Sequence, residues 1–283
     1  MKTLFTLTPA ESKRLIAKAV VQMEEVREAL SEAYLLVGDG ASMGYISEEL
    51  TGDGHIPFAC NTMGLSTNRV LCVSNPATRE FYPGVYRKGE PVADMTYMEA
   101  LTDYHPKTVV IKGANAVDTD GMVGVFIGGF TGGMVTEVLG PVISKGLTMI
   151  TPVGLEKLVP SVREAAKALG GGDTIDISIG TNGGMICLSH TKIVTEIQAL
   201  KILFDLDAHM VCGGGIGGNE GAVTLVAEGE ETNVKEAVDF IVSKIKGEPR
   251  VKGNKGLCED CRYTGCVYNR MTKDELPDWM DEE

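Results

Sequence analysis

The sequence predicts an α/β protein: a mainly parallel β-sheet sandwiched by helices, continued by a smaller C-terminal α/β part and a cysteine-containing tail. Three observations lead there. Short apolar runs of strand length alternate with segments of helical periodicity, the pattern of a parallel sheet covered on both faces. Five glycine clusters border those runs: Gly38-Asp39-Gly40, Gly113 to Gly121, Gly128 to Gly133, Gly180 to Gly184 and Gly213 to Gly221. Glycine admits positive φ and close approach of the backbone, so loops of this kind at strand ends are where open α/β sheets hold ligands. Hydrophobic residues make up 43% and charged residues 23% of the chain, ordinary globular usage that supplies a core and argues against disorder.

Thr8-Pro9-Ala10-Glu11 reads as a helix start, with Thr8 as N-cap, Pro9 in the first helical position and Glu11 closing a capping box. Leu15, Ile16, Ala19, Val20, Met23, Val26 and Leu30 then recur at helical spacing, so one long helix is expected to about residue 32. Residues 34–37 form a buried strand, Gly38 to Ser42 a turn, and a second helix runs through 49. Strands are expected at 70–73 and 108–111, with a loop over 75–91 and a short helix over 95–101 between them. A strand at 123–127 precedes a helix at 132–139, which Gly140-Pro141 should end because proline disfavours helical geometry before it. A strand at 147–150 and a helix at 160–169 lead to Gly170-Gly171-Gly172, the expected boundary. Beyond it come strands at 175–179, 210–212 and 222–227, and helices at 192–204 and 233–246. The organisation expected is a ligand-binding unit over 1–170, a second α/β part over 171–247 that completes the cleft, and a cysteine-rich acidic tail over 248–283.

The formal charge of −13 and the lack of a Lys/Arg stripe exclude nonspecific nucleic-acid binding as a function. No apolar stretch reaches the roughly 18 residues of a membrane span, and the N-terminus lacks the long apolar region of a secretory signal, so a cytoplasmic protein is expected. The seven cysteines, an odd number, argue against a disulfide framework. A homo-oligomer is left open.

The partner expected at the glycine loops is a small anionic metabolite, because backbone N–H groups hold anions whatever the net charge. Its contacts would come from Gly38, Asp39, Gly40 and Ser42; from Lys112, Asn115 and Asp120; from Gly129, Gly132 and Gly133; and from Gly214, Gly215, Gly217, Gly218 and Asn219. Glu137, at the start of a helix bordering a glycine loop, is a candidate general base or else a partner of the helix dipole. Asp118 and Asp120 either orient substrate hydroxyls or form a turn, since Asp-Thr-Asp-Gly is also turn chemistry. Glu220 is a candidate nucleophile or a solvated loop acid. Glu196 reads as a surface residue paired with Lys192. His190 reads as structural, and residues 181–184 as a turn that could wall the same pocket.

Cys258, Cys261 and Cys266 crowd three thiols into nine residues of a polar tail, which suits soft-metal ligation by zinc or an iron–sulfur cluster. The fourth position would fall to Cys60, Cys187, Cys212 or a substrate; a redox-labile tail without metal is the other reading.

Three blocks resemble the superfamily that joins ribose-5-phosphate isomerase, glucosamine-6-phosphate deaminase, the coenzyme A transferases and the lactate-utilisation type proteins. Residues 36–42 look like the isomerases' first phosphate loop, 109–118 like their aspartate-bearing block and the lactate-utilisation Ala-Asn-Ala run, and 128–137 like the glycine loop that ends in the general base. The resemblance implies a Rossmann-like fold and an enzyme of isomerase or coenzyme A transferase type acting on a phosphorylated or thioester substrate. It assigns Glu137 the base and, loosely, Glu220 the transferases' nucleophile. Asn115, Ile127 and Val138 stand where the isomerase pattern has an acid and two lysines. A non-catalytic ligand sensor, or a metal or redox protein, on the same scaffold is the alternative.

Overall fold

The computed structural model describes residues 1–52, 63–79 and 84–280; Cys60 and Tyr82 lie outside the described residues. In chain order the elements are β1 (Lys2–Leu7), α1 (Pro9–Val20), α2 (Glu24–Glu32), β2 (Tyr34–Val37), α3 (Ala41–Thr51), β3 (Gly64–Thr67), β4 (Val70–Val73), β5 (Val85–Arg87), β6 (Glu90–Pro91), α4 (Tyr97–Thr102), β7 (Val109–Ile111), β8 (Ala116–Val117) and β9 (Val123–Ile127). They continue with α5 (Met134–Lys145), β10 (Thr148–Pro152), α6 (Val162–Leu169), β11 (Gly184–Leu188), β12 (Lys192–Val194), α7 (Glu196–Phe204), β13 (Asp207–Gly214), β14 (Ala222–Glu228) and α8 (Glu231–Phe240).

The central sheet has the order β12-β10-β7-β2-β5-β6. Its first four strands are mutually parallel, and β5 closes the β2 side antiparallel. Because side chains alternate across a strand, β2 divides itself between two cores. Leu35 and Val37 join α1, α3 and α7 through Leu15, Ile46 and Leu200 on one face. Tyr34 and Leu36 join α4 and α5 through Ala100, Leu101, Val135 and Val138 on the other. Each fully buried aliphatic chain of this kind contributes roughly 1.5–3 kcal/mol, so the covering of both faces, and with it the α/β class, follows from the apolar runs. Two smaller antiparallel sheets, β1-β14-β13 and β11-β9-β8, and the β3–β4 hairpin complete the fold. The chain after residue 170 supplies β12 to the central sheet and β11 to a smaller one.

Several expected elements are corrected. The long first helix is two, because Gln22 and Met23 donate to carbonyls three residues back (3.0 and 3.1 Å) and close the first helix before α2 begins. The helix expected to stop before Pro141 runs on to Lys145: a proline costs one backbone hydrogen bond, and Val138 and Val142 anchor the helix in the core on both sides of it. Residues 192–204 are not one helix. Lys192–Val194 pairs in parallel with β10, and Thr195 then caps α7 with Gln198 in a capping box. Residues 175–179 form no strand; Ile177 and Ile179 are exposed, and Ser178 makes only an isolated bridge to Cys266. β1, unanticipated, pairs with β14 along its whole length. Among the described residues no helix is long and apolar enough to cross a membrane.

Candidate functional site

Parallel strands β2, β7 and β10 release their chains side by side, and the segment after each is polar or glycine-rich. Gly38 donates to the Ile111 carbonyl at 2.9 Å. A Cβ on Gly38 would lie 2.7 Å from Met134 Sδ and 3.0 Å from Lys112 Cδ, so this glycine lets the loop lie against both Lys112 and the first turn of α5 without displacing either side chain. Gly40 (φ 139°) and Gly133 (φ 66°) are the N-caps of α3 and α5, and neither helix has a side-chain cap. Hydroxyl oxygens of Thr8, Thr96, Ser161 and Thr195 cap α1, α4, α6 and α7, while α2 and α8, like α3 and α5, start without a side-chain cap. Two helix starts whose leading N–H groups lack a capping side chain thus meet beside one lysine, the arrangement that receives an anion.

The electrostatics of this crevice are coupled. Burial pushes the Asp39 carboxyl above its ordinary range, opposed by the charges of Lys112 and Arg79. Burial pushes the Lys112 ammonium down, opposed by Asp39; its Nζ donates to the Gly113 carbonyl at 3.3 Å. The Tyr97 hydroxyl donates to the Val37 carbonyl at 3.0 Å, and burial raises its pKa with help from Asp39 and Glu137. Asp39 thus acts on both Lys112 and Tyr97, and Glu137 acts on Tyr97. Glu137 is exposed in the first turn of α5, and Ser42 is buried in that of α3.

A second ionisable group sits at the ends of β10 and β12. The Lys157 Nζ donates to the Ala114 carbonyl at 2.8 Å, and burial, with Lys13 and Lys112 adding to it, lowers its pKa to about 8. Glu196, expected on the surface, is 0% exposed. It accepts the Leu155 N–H on both carboxylate oxygens, at 2.9 and 3.2 Å, and burial, then the charge of Glu156, raises its pKa to about 7. Lys192 pairs with Glu25 instead. The reason is the strand that precedes α7: it carries the helix start into the sheet's end, where position 196 points inward. Glu156 itself pairs with Lys13 at 2.7 Å. Sequence reasoning missed Lys157 and Tyr97. The signal for Lys157 was its place just after a parallel strand, in Gly154-Leu155-Glu156-Lys157.

Other expected site residues have structural work. Asp118 accepts N–H donors from Asp120 (3.1 Å), Met122 (3.0 Å) and Val162 (2.8 Å). Burial raises its pKa, but those donors outweigh burial and hold it low, so it builds the turn to β9 and ties it to α6. Asp120 is exposed in that turn. The Asn115 Oδ1 accepts from Phe126 N at 2.9 Å, joining β8 to β9. Gly129 and Gly132 close a turn at 3.0 Å ahead of Gly133. Thr181 and Asn182 pack on Gly128, beside Tyr263 of the tail.

Gly213 to Gly221 ends β13 and turns into β14, and a Cβ on Gly221 would stand 3.1 Å from Pro9 and 3.7 Å from Glu156, in the segment after β10. Gly214, Gly215, Gly217 and Gly218 have φ of 123°, 149°, 60° and 101°, Asn219 donates to the Ile216 carbonyl, and Glu220 pairs with Arg250 at 2.8 Å on the surface. The glycines there serve the turn. His190 is exposed with its Nδ1 3.2 Å from Ser189 Oγ.

Cys258, Cys261 and Cys266 line one small cavity, and Cys72 of β4 lines it with them. Of the residues expected to complete that set, Cys187 and Cys212 are exposed on β11 and β13, and Cys60 is outside the described residues.

Neither a family model nor a curated protein matches the sequence. Among solved structures, a D-ribose-5-phosphate isomerase in complex with phospho-erythronic acid is similar at 15% identity, over 81% of this chain and 85% of that one, with a TM-score of 0.28. At that score the likeness adds nothing to the geometry.

Proposed function

We propose that the crevice at the carboxyl ends of β2 and β7 binds a small phosphorylated metabolite and moves a proton on it. The observation that carries this is the meeting of two helix starts without side-chain caps beside Lys112. The phosphoryl group takes the N–H groups of α3 and α5 and the Lys112 ammonium, and the rest of the substrate lies toward Asp39, Tyr97 and Glu137. Asp39, whose carboxyl titrates above its ordinary range, and Glu137 at the mouth are the two carboxylates available to take a proton from carbon beside a carbonyl and return it elsewhere, which is isomerase chemistry. Residues 171–247 contribute Glu196, buried behind the segment after β10, and Tyr263 of the tail lies beside Gly128. Two of the three blocks that resemble the isomerase and transferase superfamily, 36–42 and 128–137, line this crevice. Acyl transfer through Glu220 has less support, since that carboxylate is exposed and tied to Arg250 at 2.8 Å.

The test is proton exchange. Sugar phosphates are titrated by calorimetry and any that bind are incubated with the protein in D2O. Deuterium should appear at the carbon beside the carbonyl, and Asp39→Asn or Glu137→Gln should abolish it with binding retained. Binding without exchange in the native protein would reduce the reading to a ligand sensor; no binding by any sugar phosphate would end it.

A further inference from the structure

We infer that Cys72, Cys258, Cys261 and Cys266 together hold a thiolate-ligated soft-metal centre, zinc or an iron–sulfur cluster, that fastens the tail to the β3–β4 hairpin. The first ground is convergence: four free thiols from two distant stretches of chain line a single cavity. The tail also bonds to the chain just after Cys72, where Gly256 N donates to the Val73 carbonyl at 2.9 Å and Asn75 N to the Asn254 carbonyl at 2.9 Å. Around Cys266, Ser178 N donates to the Gly265 carbonyl at 2.9 Å and the Ser178 carbonyl accepts from Val267 N at 3.0 Å.

The second ground is the tail's poverty of apolar contact. Between residues 249 and 280 only Gly256 and Met280 are buried, and the regular structure there is limited to two single 3-10 turns. A segment of loops with so little core is held in one shape by cross-links or metal.

The third is local geometry. The Cys258 carbonyl accepts from Cys261 N at 3.0 Å and from Arg270 N at 2.9 Å, which folds the Cys-x-x-Cys pair into a turn. Two of the sulfurs are already acceptors: Cys266 Sγ from Tyr268 N at 3.4 Å and Cys258 Sγ from Lys255 Nζ at 3.3 Å. Such donors stabilise thiolates and orient metal ligands. Among the described residues no three or more His, Cys, Asp or Glu side chains are placed to hold a metal ion as the chain stands. Such a centre therefore requires the four sulfurs to close around zinc, with Zn–S bonds near 2.3 Å, or to sit on the separate irons of a larger cluster.

The full chain, purified anaerobically with reductant, is analysed for zinc and iron and its visible spectrum recorded. About one zinc and no colour, or about four irons with a brown colour that reductant bleaches, each supports the centre and tells which metal fills it. Cys72→Ser should weaken metal binding at least about 10-fold, whereas Cys187→Ser and Cys212→Ser should leave it unchanged. Because Cys72→Ser could prevent folding, alkylation of the native chain is mapped by mass spectrometry with and without chelator. Cys72, Cys258, Cys261 and Cys266 should be protected together until metal is removed, with Cys187 and Cys212 reactive throughout. A chain that takes up neither zinc nor iron and sulfide on reconstitution, that forms disulfides among these four, or that protects the tail thiols but not Cys72, would overturn the assignment.

Discussion

Loops 128–133 and 213–221 are comparably rich in glycine, yet they end in different chemistry. The first runs into α5, whose start has no side-chain cap, and packs against Gly38 beside Lys112. The second joins two antiparallel strands, its positive φ angles serve the turn, and its acid is neutralised by Arg250. The element after a glycine loop, more than the number of glycines in it, decides whether the backbone can receive an anion.

The exposed Glu220 of the second loop and the buried Glu196 at the end of the parallel strands differ more than the loops do, and this gives the largest expected effect. Glu196, buried, titrates near 7 against an ordinary 4.5, so the folded state holds its proton longer than the unfolded state does. Stability should fall as pH rises from about 4.5 to about 7 and stay flat above, a loss of roughly 3 kcal/mol. Glu196→Gln should remove that fall, appearing neutral at pH 4 and stabilising at pH 8 in urea titrations. Lys157 acts in a different window. Its pKa, lowered to about 8, makes the folded state bind fewer protons, so stability should rise from pH 8 toward 10.5, and Lys157→Met should abolish the rise.

A matched pair sharpens the comparison of the loops. Gly133 (φ 66°, ψ −158°) and Gly217 (φ 60°) both have open space where a Cβ would stand, so alanine should cost stability through backbone strain alone, about 1–3 kcal/mol at Gly133, whose conformation is essentially reserved for glycine, and about 1–2 kcal/mol at Gly217. Only Gly133→Ala should also weaken anion binding, because only that glycine starts a helix at the crevice. The smallest effect belongs to Glu220→Gln. The Glu220–Arg250 pair is exposed, and its loss should shift the melting midpoint by less than a degree or two and leave activity alone.

How much of the structure is legible along the chain depends on how local each feature is. The Thr8–Glu11 capping box needs four residues and forms as expected, Thr8 N to Glu11 Oε2 at 2.9 Å and Glu11 N to Thr8 Oγ1 at 3.3 Å. Strands 34–37 and 109–111 are legible because strands buried on both faces are unbroken apolar runs. Lys192–Val194 is too short to show a period of its own, so it merges with the helix after it and Glu196 falls on the wrong surface. Residues 175–179 alternate like a strand but lack a ladder partner. The nearness of Cys72 to the tail thiols is tertiary, and spacing along the chain carries no trace of it. The crevice is legible as a set of loops at strand ends. Its ionisable members Tyr97 and Lys157 lie outside those loops, and only packing brings them in.

An anion held between α3, α5 and Lys112 is the centre of this picture. It is tested most directly by titrating inorganic phosphate and a sugar phosphate into the native protein, Lys112→Met and Glu220→Gln in parallel, by calorimetry at fixed salt. Binding by the native chain should be saturable, unchanged within about twofold in Glu220→Gln and weakened roughly 10- to 100-fold in Lys112→Met, the worth of one charge-assisted contact. Equal affinity in Lys112→Met, or loss of binding in Glu220→Gln alone, would contradict it.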